Sequence, residues 1–121
     1  MKRALVLFGH GARDARWAEP FQRLRQVTQT RMPDVAVSLA FLEFMVPALP
    51  DLVSQLRQEA MDEITVVPVF FGQGGHVLRD VPLMIDKLRN DHPDLVLKLA
   101  AAVGEDPDVL EAIAGYCVRV M

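Results

Sequence analysis

The sequence predicts a doubly wound α/β fold in which helices cover both faces of a four-stranded parallel sheet. Four short apolar segments are each followed by a segment with helical spacing of its apolar residues. These short segments are apolar almost without interruption, which is typical of strands buried on both faces. With 121 residues, 51% of them hydrophobic, the chain is long enough for one core and too short for two ordinary domains. We therefore expect a single domain over residues 1–121, with right-handed crossovers and the flavodoxin-like strand order 2-1-3-4.

The four strands are expected at Ala4 to Phe8, Val35 to Phe41, Ile64 to Phe71 and Leu95 to Ala101. Pro68 removes one hydrogen-bond donor from the third strand and indicates an irregularity near its end. Each predicted helix has an apolar face that should be buried. In chain order these faces are Phe21, Leu24, Val27 and Thr28; Val46, Leu49, Val53, Leu56 and Ala60; Val77, Val81, Ile85 and Leu88; and Val109, Leu110, Ile113, Ala114, Cys117 and Val118.

Composition excludes several classes of function. A net charge of -3 disfavours binding to nucleic-acid phosphates. The apolar run from Ala4 to Phe8 is too short for a signal peptide, and no stretch approaches the roughly 20 apolar residues that a membrane span needs. Cys117, the single cysteine, suits a reducing compartment. We expect a cytoplasmic protein without a nucleic-acid or membrane partner.

Candidate functional residues follow the first three strands. Ligands of doubly wound sheets bind beyond the carboxyl ends of the strands, where the strand order reverses. In the order 2-1-3-4 the first three strands are neighbours about 4.8 Å apart. Their loops carry His10, Glu43 and His76, which should therefore converge on one cleft.

Glycines surround both histidines. His10 lies between Gly9 and Gly11, and His76 follows Gly74 and Gly75. Such loops let the backbone approach a flat or bulky ligand, so Gly74 and Gly75 are predicted to contact one. By contrast, His92 lies next to a proline at the predicted end of a helix and is interpreted as a turn residue.

Two imidazoles and one carboxylate suit a borderline divalent metal such as cobalt, iron or nickel. The set His10, Glu43 and His76 is therefore predicted to bind metal in an open, exchangeable site, although Glu43 could equally be an exposed loop charge. No Gly-x-x-x-x-Gly-Lys phosphate loop is present, and no nucleotide is expected.

Three arginines follow the histidines, namely Arg13, Arg16 and Arg79. As a set they favour a substrate with several carboxylates. Alternatively, Arg13 and Arg79 simply pair with the aspartates that follow them, as surface charges often do.

Four segments resemble the small class II tetrapyrrole chelatases, which include sirohydrochlorin cobaltochelatases. They are Gly9-His10-Gly11-Ala12-Arg13-Asp14; Phe41-Leu42-Glu43 with Pro47-Ala48-Leu49; Val67 to Val77 with Asp80-Val81-Pro82; and Gly104 to Pro107. The resemblance covers nearly the whole chain and implies a chelatase-like fold. In the family, the histidines that match His10 and His76 hold the incoming metal, and Glu43 is placed like a glutamate of related two-domain chelatases.

The resemblance implies ATP-independent insertion of a divalent metal, foremost Co²⁺ with Fe²⁺ or Ni²⁺ as alternatives, into sirohydrochlorin for cobalamin or siroheme-type cofactors. His10, His76 and Glu43 would serve as ligands and proton acceptors. Short members of the family resemble one half of the longer chelatases and work as homodimers. A homodimer is therefore expected here, with sites where the carboxyl-end faces of two copies approach each other.

Two other functions stay open. A non-catalytic carrier of metal or tetrapyrrole would use the same ligands without turnover. A phosphohistidine enzyme could use His10 as its nucleophile, but that mechanism predicts an arginine directly before the histidine, where Gly9 stands.

Overall fold

The structure, a computed structural model, describes residues 1–72 and 75–121, apart from the side chains of residues 75, 76 and 78. Within this part of the chain, parallel strands form one sheet in the order β2-β1-β3-β4. The strands are β1 (Arg3–Gly9), β2 (Ala36–Phe41), β3 (Glu63–Pro68) and β4 (Val96–Leu99), and the helices are α1 (Glu19–Arg31), α2 (Leu49–Gln58), α3 (Gly75–Asp91) and α4 (Pro107–Val120). Single 3₁₀ turns precede α1 and α4, at Ala15–Ala18 and Val103–Glu105. The predicted fold class and strand order are confirmed.

The larger core lies between one face of the sheet and helices α2 and α3. Phe8, Ile64 and Val66 from the central strands are fully buried there, against Val53 of α2 and Ile85 of α3. Along β1 and β3 alternate side chains point to this face, as the period of a strand requires. The sequence therefore specifies this layer well, because apolar residues recur at period two in the strands and near period 3.6 in the helices.

A smaller core lies on the opposite face, under α1. Leu39 and Phe41 of β2 are buried in it, and the rings of Trp17 and Phe21 pack over them with centroids 4.5 Å apart. The helix α1 covers this smaller core only in part. Leu24 and Val27, both predicted to be buried, are 39% and 59% exposed.

Proline explains two of the predicted boundaries that are wrong. The third strand was expected to reach Phe71 but ends at Pro68, which has no N–H for the ladder, and Phe71 is exposed. The second helix begins at Leu49, and Val46 lies outside it and is exposed, because a residue before a proline disfavours the helical conformation. That helix ends at Gln58, and Ala60, expected on its buried face, is an exposed turn residue with φ +63°.

The predicted burial of the last helix is also wrong. Its first turn is capped, since the Asp106 carboxylate accepts a hydrogen bond from the Val109 N–H at 3.2 Å. However, no residue of α4 is buried, and Cys117, expected in the apolar core, is exposed. The helix has an apolar face, but nothing within the described part of its own chain covers that face. None of the described helices is long and apolar enough to cross a bilayer.

Candidate functional site

The parallel ladder between β1 and β2 extends past the last residues of both strands. Within the strands Gly9 lies opposite Phe41. Beyond them, the Leu42 N–H donates to the Gly9 carbonyl at 2.9 Å, and the Glu43 N–H donates to the His10 carbonyl at 3.1 Å. The two residues predicted as ligands therefore become neighbours through backbone hydrogen bonds alone.

The side chains of His10 and Glu43 meet at this edge of the sheet. Nε2 of His10 lies 3.2 Å from Oε1 of Glu43, and the side chains are 47% and 49% exposed. With a proton on Nε2, the imidazole donates to the carboxylate. The ring of Phe70 contacts the imidazole edge-on, with centroids 6.1 Å apart. One side of the imidazole is thus held by a carboxylate and another by an aromatic ring, while solvent still reaches it.

The spacing of this pair fits one shared cation. Two atoms that each lie about 2.1 Å from one metal ion, at tetrahedral or octahedral angles, are about 3.0 to 3.4 Å apart. The Nε2 and Oε1 atoms are 3.2 Å apart, so both can contact one divalent ion with little movement. Nitrogen with carboxylate oxygen is a donor set that cobalt, iron and nickel accept.

Gly11 determines how closely the two loops approach. Its φ is +95°, in the left-handed region that favours glycine. A Cβ atom at this position would overlap the carbonyl oxygen of Glu43. The glycine next to His10 therefore has a defined role, because it lets the His10 loop lie directly against the backbone of Glu43.

The third predicted ligand lies on α3. Gly74 is outside the described residues, and so are the side chains of Gly75 and His76. The backbone of His76 belongs to the first turn of α3, which follows β3, and β3 is the neighbour of β1. Among the described residues no group of three potential metal ligands occurs, so the joining of His76 to the His10–Glu43 pair stays a prediction.

The three arginines have different surroundings. The Arg16 guanidinium is bound to the Asp14 carboxylate, with Nη2 to Oδ2 at 2.7 Å, and Arg79 lies 3.4 Å from Asp80. Hydrogen bonds from the side chain and the backbone of Arg16 lower the pKa of Asp14 below its ordinary value. The contact between Arg79 and Asp80 agrees with the alternative interpretation given above, whereas Asp14 binds Arg16, a partner that this interpretation does not name.

Arg13 instead lies over the ring of Phe44, with its guanidinium carbon 4.5 Å from the ring centroid. Phe44 follows Glu43 directly, has φ +65° and is 55% exposed. The two side chains line an open concavity of about 360 Å³. A cation and an exposed aromatic face so close to Glu43 are suited to an anionic, flat ligand.

Sequence reasoning missed two aromatic residues of this site. The predicted third strand, Ile64 to Phe71, includes Phe70, and the predicted site residues do not include Phe44. The available signal is position, because each lies just past the carboxyl end of a strand, Phe44 after β2 and Phe70 after β3, where ligands of this fold bind. What the sequence does not contain is the orientation of their rings.

The chain is thus a doubly wound parallel α/β domain with a half-exposed histidine and carboxylate at the carboxyl edge of its sheet. The family model described as CbiX matches residues 4–116. The chain therefore belongs to the CbiX family.

Curated relatives are named sirohydrochlorin cobaltochelatase. The protein from Methanocaldococcus jannaschii is 33% identical over 89 residues, which are 74% of this chain and 62% of that protein. The one from Methanosarcina acetivorans is 25% identical over 119 residues, covering 93% and 92% of the two chains. The chain spans less than two thirds of the length of several of these relatives. The matched part is 62% of the M. jannaschii protein and 57% of the proteins from Methanopyrus kandleri and Methanococcus aeolicus.

Solved structures share the fold. A protein from Marinobacter aquaeolei VT8, described as a cobalamin biosynthesis CbiX protein, superposes with a TM-score of 0.85 at 31% identity, covering 97% of this chain and 95% of its own. The sirohydrochlorin chelatase SirB of Bacillus subtilis subspecies spizizenii, in complex with cobalt, has a TM-score of 0.82 at 20% identity. This chain is covered to 99% in that superposition, and SirB to 51%.

Replacing Gly11 with alanine should disrupt the site by moving the backbone of the His10 loop away from Glu43. The strained φ and the overlap with Glu43 should lower the free energy of unfolding by at least about 2 kcal/mol. Co²⁺ affinity should fall by about tenfold or more, because the His10–Glu43 spacing changes. Urea unfolding and calorimetric titration with Co²⁺ measure the two effects.

Gly72→Ala is the matched control for stability, because a Cβ atom there meets nothing within 4 Å and its φ is not in the left-handed region. It should change the free energy of unfolding by less than about 0.5 kcal/mol. Equal stability of the two variants would show that the Gly11 contact does not matter.

Proposed function

We propose that this chain is a sirohydrochlorin chelatase that inserts a divalent metal into the tetrapyrrole without ATP, with Co²⁺ as the foremost metal and Fe²⁺ or Ni²⁺ as alternatives. The observation that carries the proposal is the His10–Glu43 pair, whose 3.2 Å spacing fits two ligands of one cation on the fold of the CbiX family. The names of the curated relatives support the substrate. A cytoplasmic location stays a prediction from the sequence.

Metal insertion requires the protein to hold a metal ion and then to release it. The tetrapyrrole has four ring nitrogens, and two of them must lose their protons as the metal enters. His10 and Glu43, with His76 as the proposed third ligand, hold the partly hydrated ion at the carboxyl edge of the sheet. Because both described ligands are half exposed, ring nitrogens can replace them one at a time.

The same residues can accept the protons. Once His10 gives up the metal, its imidazole can take one pyrrole proton, and a neighbouring carboxylate stabilises the imidazolium that forms. Glu43 can take the second proton directly or pass it to water. Charge then balances, since a divalent ion replaces two protons in the ring.

The macrocycle is proposed to lie over the glycine loops, with its carboxylates near the arginines. Arg13 is expected to contribute most. Among the described residues its guanidinium lies over a ring face, which leaves its five N–H donors available to a carboxylate. Arg16 and Arg79 are expected to contribute less, since each already lies against an aspartate. Gly74 and Gly75 are proposed to let the ring approach the backbone.

His10→Ala and His76→Ala should each lower the initial rate of Co²⁺ insertion into sirohydrochlorin by about 100-fold or more, because a ligand and a base are lost together. Glu43→Gln should cost about tenfold, since an amide oxygen can still contact a metal but accepts no proton. Folding should be unchanged, because the His10 and Glu43 side chains are half exposed.

The measurement is the anaerobic absorbance change with catalytic amounts of protein and no nucleotide, repeated with Fe²⁺ and Ni²⁺. If wild type binds metal and tetrapyrrole but completes less than one turnover, the protein is a carrier and the proposal is wrong. Wild-type rates in both histidine variants would exclude this mechanism.

Arg13→Ala should raise the Michaelis constant for sirohydrochlorin about tenfold and weaken its dependence on salt. Arg16→Ala is the matched control and should raise it less, because Asp14 already holds that guanidinium. Titration with Co²⁺ alone should give the same affinity in both variants. A large loss of Co²⁺ affinity in Arg13→Ala would assign this residue to the metal instead.

A homodimer is part of the proposal. A site for a small molecule buries roughly 70–90% of its ligand, whereas the concavity beside Arg13 and Phe44 is open. A second copy related by a two-fold axis would supply the opposite wall.

Light scattering at micromolar concentration should give twice the 13.5 kDa of one chain. The expected reason is that each copy contributes one wall of the cleft. A monomer mass that persists with Co²⁺ and sirohydrochlorin present would contradict the shared site.

A further inference from the structure

The two outer strands of the sheet, β2 and β4, each have one edge without a neighbouring strand in the described part of the chain. The N–H and C=O groups of alternate residues point to that edge. In β2 the outward set is that of the odd-numbered residues, since Leu42, of the even set, donates to Gly9 of β1. An open edge of this kind is a template for pairing with another chain, and natural proteins protect it.

The side-chain amide of Gln29, on α1, binds the outward groups at the start of β2. Its Oε1 atom accepts a hydrogen bond from the Val37 N–H at 3.0 Å, and its Nε2 atom donates to the Val35 carbonyl at 2.7 Å. A residue of an added parallel strand would use its own C=O and N–H in these two places. Nε2 also donates to the Met32 carbonyl at 3.1 Å, which fixes the orientation of the amide. The Gln29 side chain therefore occupies the position of a neighbouring strand.

The carboxyl end of the same edge is covered by the backbone that follows β2. The Phe41 N–H donates to the Pro47 carbonyl at 2.9 Å, and Phe41 forms an isolated parallel bridge with Ala48. Between the two covers lies Leu39, whose N–H and C=O also point outward by alternation. An incoming strand thus finds a single residue to pair with, which is too short a stretch for a ladder.

Arg89, on α3, makes the corresponding contact at the opposite edge of the sheet. The N–H groups of Val96 and Ala100 donate to the β3 side, so Leu97 points outward. Arg89 donates to the Leu97 carbonyl twice, from Nε at 3.0 Å and from Nη2 at 2.9 Å. The guanidinium also places a charge on the edge strand, which disfavours pairing with another strand.

The same local structure positions both side chains. Each lies eight residues before the outward strand residue that it binds, Val37 or Leu97. Both connections contain Pro-Asp, at 33–34 and 93–94. In each, the residue before the proline donates to a helix carbonyl four residues earlier and accepts from the N–H three residues later, with distances of 3.1 Å in the first connection and 3.0 Å in the second.

This connection occurs where a helix leads to an edge strand. The strand order 2-1-3-4 makes β2 and β4 the edges, and α1 and α3 precede them. The connection from α2 to the central strand β3 has no Pro-Asp and turns instead through Ala60, with φ +63°. The shared structure is therefore associated with the edges and not with helix-to-strand connections in general.

We propose that Gln29 and Arg89 are edge caps, which keep β2 and β4 from pairing with the same strand of a second copy. Without Gln29, the outward groups of Val35 and Val37 join those of Leu39 in one open run, and the identical run of another chain is its partner. The caps lie at the amino half of the edge strands, away from the His10–Glu43 pair at the carboxyl edge. The test needs neither metal nor tetrapyrrole, so it is independent of the proposed function.

Gln29→Met tests the cap of β2, because methionine has a similar length and helix propensity but no amide. At low micromolar concentration, hydrogen exchange of the 35–39 segment, followed by mass spectrometry, should be about tenfold faster than in the wild type, since the Val37 N–H loses its acceptor. At high concentration the exchange of this segment should become slower as copies pair through β2. Light scattering should show the mass rising above that of the wild type over the same range.

Gln26→Met is the matched control, because it makes the same change at an exposed position of the same helix, where the side chain binds no strand among the described residues. It should keep the wild-type mass and exchange at both concentrations. Equal association of the two variants would assign the effect to the added apolar side chain. Association of Gln29→Met without slower exchange at 35–39 would assign it to unfolding. Either result overturns the proposal, and so does wild-type behaviour of Gln29→Met.

Arg89→Met tests the opposite edge and keeps the proposal falsifiable if Gln29→Met does not fold. Exchange in the 96–99 segment should slow with rising concentration, because the Leu97 carbonyl is free to accept from another chain. Lys87→Met removes a cation from an exposed position of the same helix and should show no such dependence. Exchange at 96–99 that does not depend on concentration in Arg89→Met would overturn the proposal for β4.

Discussion

The site depends on the backbone ladder between β1 and β2. Because the strands are parallel and in register, the ladder continues from Gly9 and Phe41 to the hydrogen bond between the Glu43 N–H and the His10 carbonyl. Burial of both strands on two faces fixes that register, since a slip of one residue would turn the apolar side chains of β2 away from their core. The positions of an imidazole and a carboxylate thus follow from the packing of residues that have no chemical role.

Much of this could be predicted from the sequence. Unbroken apolar strands and strict alternation with helices define the fold class, and the switch in strand order locates the binding edge. The meeting of His10 and Glu43 follows from these two facts and from their positions directly after neighbouring strands. Each of these steps depends on the spacing of apolar residues or on a rule of sheet topology, and both can be applied to a single sequence.

Other features depend on contacts that periodicity does not encode. The apolar pattern of α4 correctly indicates a helix with one apolar face, but a pattern cannot say whether the covering surface belongs to the same chain. Likewise, adjacent Arg and Asp residues in a sequence leave open whether the arginine is engaged by its neighbour, as Arg16 is, or lies over a ring, as Arg13 does. These outcomes are set by rotamers and tertiary neighbours.

The close approach of Gly104 to Phe71 links two parts of the molecule. One part is the start of α4, and the other is the segment after β3 that leads toward His76. Since a methyl group does not fit between them, a displacement of the turn at 103–105 must either move Phe71 or break the hydrogen bond to the Phe70 carbonyl. Phe70 in turn contacts the His10 imidazole. Phe70 and Phe71 thus connect the turn before the last helix to the His10–Glu43 pair, so a shift of that turn should also move the aromatic ring beside His10.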